Sequence, residues 1–316
     1  MGRLNDIPED MLIGDEYREY MDATETQAKV IPAQAYRDAL IKRMFSPAAE
    51  QFPTLPWAKT MDKIHFRPGE VSLWAGANGS GKSMILGNAS LGWIKGNQGV
   101  ALASFEMKPL TQLVRYARQF AKGPAPAERA IDDMFDWMRG RLWFYDQQGT
   151  VKPAMVYGVA RYAADKLKAR HFIVDSMMKC VRGEDDYNGQ KDFVDEITAI
   201  ARDTGLHIHP VHHIKKPPDE STMPTKYDAK GSGSITDQVD NVFMMWRNKP
   251  KESVQDRVDR GESLSANDEQ KLSAPDAILA CDKQRNGEWE GKVALWFHRG
   301  AQQYCADPKR IPAEFA

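Results

Sequence analysis

Cysteine is scarce: Cys180, Cys281 and Cys305 are the only three in 316 residues, and they lie far apart. With no C-x-x-C pair, neither a disulfide framework nor a cysteine zinc site is expected, and a reducing, cytoplasmic setting fits. Long apolar runs are missing too, and none approaches the ~20 residues a membrane-crossing helix needs. The N-terminal stretch "MGRLNDIPEDMLIGDEYREY" is polar and acidic, without a signal-peptide core. Asp6 stands where an N-myristoylation signal has Ser or Thr. Nor is there an excess of one charge: 43 Lys and Arg face 44 Asp and Glu, a net charge of −1. That excludes a globally basic nucleic-acid binder but leaves room for local basic loops. The 42% of hydrophobic and 28% of charged residues describe a soluble globular chain with a sizeable core.

The apolar pattern divides the chain. Residues 1–54 read as a polar arm with one helix near 34–45, where Tyr36, Ala39, Leu40 and Met44 recur at helical spacing. From 55 to 308 short apolar strands alternate with amphipathic helices: "VSLWAGA", "GVALASF", "RLWFYD", "HFIVDS" and "LHIHPVHH" each precede or follow a helical segment. Repeated β-then-α units imply an α/β fold, a mostly parallel sheet covered by helices on both faces. Later, "VDNVFMMWR", "AILACDKQRNG" and "GKVALWFH" follow one another without that rhythm and predict added antiparallel strands. The charged stretch 248–276 has little to bury and reads as a mobile surface insertion. Residues 309–316 read as a tail.

"GANGSGKS", Gly76 to Ser83, fits the phosphate-loop pattern G-x-x-x-x-G-K-[ST] and sits between an apolar strand and a helix. Gly76, Ala77, Asn78, Gly79, Ser80 and Gly81 can form a nest of N–H groups around phosphate oxygens. The helix that follows adds its N-terminal dipole. Lys82 can bridge the outer phosphates, and the Ser83 hydroxyl can hold Mg2+. Asp175, closing "HFIVD", is expected to hold the metal through water; a turn-capping Asp is the plainer alternative. Glu106 in "SFEM" ends a strand at the edge where open α/β sheets place their chemistry, as a catalytic acid or as an ordinary strand-end Glu.

The ordered set "GANGSGKS", "SFEM", "FIVDS", "VHHIKKP", "GSGSITDQVDNVFMMWRN" and "CDKQRNGEWEG" resembles the motor domain of DnaB-type replicative helicases, in the branch of phage primase–helicases and mitochondrial Twinkle. The resemblance spans about residues 55–305 and implies a RecA-like fold. It also implies a homo-oligomeric ring, usually a hexamer, that hydrolyses ATP or another NTP or dNTP between subunits and moves along single-stranded DNA. Glu106 then matches the catalytic glutamate, Asp175 the second acidic motif, and His213 the γ-phosphate sensor. Lys283 and Arg285 match a basic finger that reaches the neighbouring subunit's nucleotide. Arg247 and Phe297 fall at nucleotide-proximal positions, although Phe297 reads equally as a core strand residue and Arg285 as a hairpin-turn arginine.

Lys215, Lys216, Lys226, Lys230, Gly231 and Gly233 lie on the loop that contacts DNA in this family, and a ring multiplies a few such contacts. A primase and a DNA polymerase are further implied partners. The arm is too short for a primase domain, so a motor preceded only by an arm is expected, its helix packing on the adjacent subunit. A recombination or strand-annealing ATPase that binds single-stranded DNA without unwinding is the alternative, and a nucleotide-dependent loader with little hydrolysis a third. Four of the seven histidines, His207, His209, His212 and His213, crowd one strand. Alternation separates them onto two faces, so His207 and His209 read as strand filler, His212 as packing and His213 as the sensor, with a small metal site left open. Pro210 within that strand calls for a bulge or a strand starting at Val211.

Overall fold

The computed structural model describes residues 33–45, 52–183, 185–214, 221–228 and 232–316. The chain divides into two units, at Gln51/Phe52. In the first, a short 3-10 turn Ala33–Tyr36 leads into helix α1, Arg37–Phe45. Tyr36, Leu40, Met44 and Phe45 are exposed along it.

The second unit is built on a nine-stranded sheet in the order β3-β2-β4-β5-β1-β6-β7-β8-β9. The parallel strands are β1 Ser72–Gly76, β2 Val100–Ser104, β3 Leu142–Tyr145, β4 His171–Asp175, β5 His207–His213 and β6 Asn241–Arg247. Helices α2 Lys82–Lys95, α3 Pro109–Ala121, α4 Glu128–Trp137, α5 Pro153–Asp165, α6 Tyr187–Thr204 and α7 Ser232–Gln238 connect them. β1, β2 and β4 are buried at every residue, because helices cover both faces. β7 Ala277–Gln284, β8 Gly291–His298 and β9 Gln303–Cys305 continue the sheet antiparallel. The α/β architecture with added antiparallel strands is the one the sequence pattern predicts.

Three expectations change. The stretch 248–276 folds as two helices, α8 Lys249–Asp259 and α9 Ala266–Ser273. Several of its charges form ion pairs. Buried Lys251 meets Asp276 at 2.7 Å, and Arg257 bridges Glu262 and Asp268. Asn248 caps α8, and a Ser265–Asp268 capping box starts α9. Pro210 stays inside a regular strand. The Ile208 N–H donates to the Glu70 carbonyl, but Pro210 has no N–H to give, so the β1–β5 ladder resumes only at Trp74↔Val211. The C-terminal residues pack on the body: Phe315 is fully buried, and the Ala313 N–H donates to Gln303 Oε1.

The buried histidines answer the metal question. Among the described residues no group of three or more His, Cys, Asp or Glu is arranged to hold a metal. The Trp74 indole N–H donates to His209 Nδ1 at 3.2 Å, which leaves the His209 proton on Nε2, 3.0 Å from His171 Nδ1. His207 donates from Nδ1 to the Arg67 carbonyl and accepts the Ser72 hydroxyl at Nε2. Trp93 stacks on both His171 and His209, at 4.1 and 4.6 Å between centroids. Burial keeps all three neutral, pushing His207 down to about 3 and His171 and His209 well below the usual imidazole range. His171, which the sequence did not single out, completes this core.

Candidate functional site

The six parallel strands end at one edge, and the chemistry gathers there. β1 runs into the loop Gly76–Ser83, which turns sharply into α2. Gly79 and Gly81 take φ of +72° and +98°, which a side chain disfavours, and a Cβ on Gly81 would also meet the Tyr304 hydroxyl at 2.1 Å. Buried Lys82 folds back, its Nζ donating to the Gly76 and Ala77 carbonyls at 2.9 Å each. Burial draws this ammonium down to about 8, while the carboxylates of Asp175 and Glu106 hold it up.

Asp175 ends β4 and accepts the Ser83 hydroxyl at 2.6 Å. Burial raises its pKa, and the Ser83 bond opposes the rise. A buried carboxylate beside a hydroxyl, at the mouth of a phosphate loop, is a hard-oxygen pair that fits Mg2+. Glu106 stands just beyond β2, which pairs with β4 through Ser104↔Asp175. It accepts the Ser176 hydroxyl at 2.9 Å and meets His213 Nε2 at 3.4 Å. The contact with His213, then the Ser176 bond, holds Glu106 at about 2 against the effect of burial. His213 ends β5 directly beside Gly76. Lys82, Ser83, Glu106, Asp175 and His213 therefore line one cavity of about 1010 Å³.

The model for the AAA domain matches residues 38–219, more than half of the chain. The chain belongs to the AAA-domain family. Two solved structures share its fold. One is an ATPase domain, with a TM-score of 0.67 and 15% identity, over 86% of this chain and 98% of that one. The other, a DnaB-like replicative helicase solved to show its interactions with primase, has a TM-score of 0.65 and 14% identity, over 92% of this chain and 71% of that one. No curated protein matches the sequence.

Beyond the phosphate loop, this AAA domain's cavity has walls that the motifs do not reveal. Arg247, at the end of β6, donates from Nη1 to the Gly79 carbonyl at 3.3 Å and pairs through Nε with Glu252. Phe297 lines the cavity from β8, its ring 5.1 Å from that of Tyr304. Arg115 on α3, Tyr304 on β9 and Glu252, Gln255 and Asp259 on α8 also line it. Arg115 is half-buried, and Asp175 offsets the cost of its desolvation. The Glu106-to-Arg115 spacing lies across a strand–helix turn, which periodicity does not read. Tyr304 arrives only through closure of the β8–β9 hairpin.

Lys283 and Arg285 lie elsewhere. Gln284 of β7 pairs with Asn241 at the start of β6, which in turn pairs with Ser72 at the start of β1. That is the sheet edge opposite the phosphate loop, a strand of five residues or roughly 16 Å away. Lys283 Nζ caps α7 by donating to the carbonyls of Thr236, Asp237 and Val239. Arg285 meets Asp240 at 3.3 Å and donates to the Asp237 carbonyl. Of the loop residues, Lys226 donates through its N–H to Asp282 Oδ2 and through Nζ to the Asp282 carbonyl. Gly233 is in the first turn of α7 with open space around it. Lys215, Lys216, Lys230 and Gly231 lie outside the described residues. Among the described residues no helix is long and apolar enough to cross a membrane.

Proposed function

We propose that this AAA domain is the motor of a DnaB-like DNA helicase: an oligomeric ring in which NTP hydrolysis at subunit interfaces drives movement along single-stranded DNA. One observation carries the reading. A phosphate loop, a metal pair, a carboxylate and a histidine converge in one cavity, while the basic pair Lys283 and Arg285 lies at the far edge of the same sheet. Within one chain the pair cannot reach that cavity; a second copy can bring it there.

In this reading the loop N–H groups and Lys82 hold the phosphates. Ser83 and Asp175 would hold Mg2+, which neutralises phosphate charge when bound. Glu106, ionised and anchored by Ser176, orients and deprotonates the attacking water. His213 touches Glu106 on one side and begins the lysine-bearing segment on the other. Gain or loss of the γ-phosphate at His213 thereby reaches the DNA loop. Arg285 of the adjacent copy stabilises charge on the transferred phosphoryl group. Phe297 and Arg247 flank the nucleoside. The likeness to a DnaB-like helicase in fold supports this over a strand-annealing ATPase.

A forked DNA substrate with a 5′ or 3′ single-stranded tail tests it. Unwinding that requires NTP hydrolysis is expected. DNA-stimulated hydrolysis with no strand separation on either tail would instead assign the annealing class.

A further inference from the structure

Helix α8 has no part in the chemistry above, yet it forms one wall of the cavity. It is rigidly placed. Asn248 caps it and also donates from Nδ2 to the Pro275 carbonyl, and Lys251 Nζ, buried, is fixed by Asp276 and the Ala274 carbonyl. Asp276 is held in turn by Arg310 and the Phe297 N–H. Glu252, Gln255 and Asp259 are spaced three and four residues apart, so they form one face, and all three line the cavity.

Charge pairing along this wall leaves one residue over. Glu252 is neutralised by Arg247, and Asp276 by Lys251 and Arg310. Asp259 has no cationic partner among the described residues; its contact is the Gln255 side-chain amide, which donates to Asp259 Oδ1 at 2.9 Å. That bond turns the Gln255 amide nitrogen toward Asp259 and leaves Gln255 Oε1 and Asp259 Oδ2 as acceptors. An unpaired carboxylate is repelled by a polyphosphate, so its place in this cavity makes sense only at the end away from the phosphates. Arg247 stands between, joining Gly79 of the phosphate loop to Glu252 of the wall.

We infer that α8 reads the nucleoside end of the bound nucleotide, with Gln255 and Asp259 selecting nucleosides that present hydrogen-bond donors. This rests on the nucleotide reading of the cavity. The donors can be the exocyclic amino group of the base or the ribose 2′-hydroxyl. A site whose acceptors are built for a donor rejects the analogue that lacks it, because the acceptors are then left unpaired.

The test is equilibrium binding of ATP, purine riboside triphosphate (no 6-amino group) and dATP (no 2′-hydroxyl) to the full chain. ATP is expected to bind about tenfold or more tightly than at least one analogue. The analogue that loses affinity identifies the donor. In Asp259→Asn and Gln255→Ala that ratio is expected to collapse towards one. Asp259 is exposed, so its replacement leaves the fold intact, and thermal unfolding of each variant verifies this. Equal affinities for all three nucleotides in the wild type, or variants that weaken all three alike, would overturn the inference. Selective binding without hydrolysis would instead fail the motor reading and leave this one standing.

Discussion

The Ser83 hydroxyl donates to the Asp175 carboxylate at 2.6 Å, joining the last residue of the phosphate loop to the end of β4. This bond occupies both groups in the place where a cation would sit. Beside it, buried Lys82 folds onto its own loop.

In the proposed function Lys82 binds phosphate, and burying its ammonium costs the fold stability. Its pKa falls from 10.5 to about 8 on burial. The unfolded chain therefore holds this proton more tightly, and stability of the empty protein rises as pH passes from 8 towards 10.5. Lys82→Met is expected to raise the Tm of the unliganded protein at pH 7 and to abolish the Tm rise on adding nucleotide. Nucleotide affinity of the wild type should weaken above pH 8, by at most about tenfold per pH unit. A Tm lowered by the substitution would count against this account of Lys82.

Glu106→Gln should cut turnover by about 10²–10⁴ while leaving nucleotide affinity within a few-fold. Glu106 is held at about 2, first by His213, so its protonation does not limit kcat/KM at neutral pH. In His213→Ala that support is lost, and the acid limb of the pH–rate profile should move upward. The variant should also lose stimulation by DNA. Identical acid limbs in the two proteins would remove Glu106 from the role of base.

Arg115 lines the same cavity from α3, near Asp175. Arg115→Ala leaves the phosphate end one positive charge short, and nucleotide affinity or turnover should fall by about tenfold or more. Arg115→Lys should recover only part, because a point charge does not replace a planar fork. Wild-type kinetics in Arg115→Ala would show a merely solvated side chain.

The His171, His207 and His209 core predicts acid lability. The unfolded chain protonates these imidazoles near 6.5, and the folded chain does not. Stability is complete above pH 6.5 and falls as pH drops, the His207 share being exhausted near 3. Each histidine contributes a slope of up to ~1.4 kcal/mol per pH unit. Urea unfolding at pH 7, 6 and 5 reads this directly, and a Cm flat across the three would contradict it.

Much of the site was legible in the sequence because its signals are local. The phosphate loop sits within eight residues, and Asp175 and His213 close apolar strands. What was not legible depends on distant partners. The stretch 248–276 reads as a mobile insertion until Lys251 is set beside Asp276, and Asp276 beside Arg310. His171 joins His209 from another strand, and Tyr304 meets Gly81 only once the last hairpin has closed. The stretch 309–316 reads as a tail because it is too short to show a periodicity, though Phe315 is buried in the core.

In the proposed ring, Glu106 and Arg285 of different copies complete one site. Glu106→Gln and Arg285→Ala should each be inactive alone while still binding nucleotide. Mixed in equal amounts and allowed to reassemble, random assortment places both wild-type residues at about a quarter of the interfaces. Hydrolysis in the mixture should then rise clearly above the sum of the two variants. A mixture no more active than its parts, at protein concentrations where subunits are shown to exchange, would contradict a shared site.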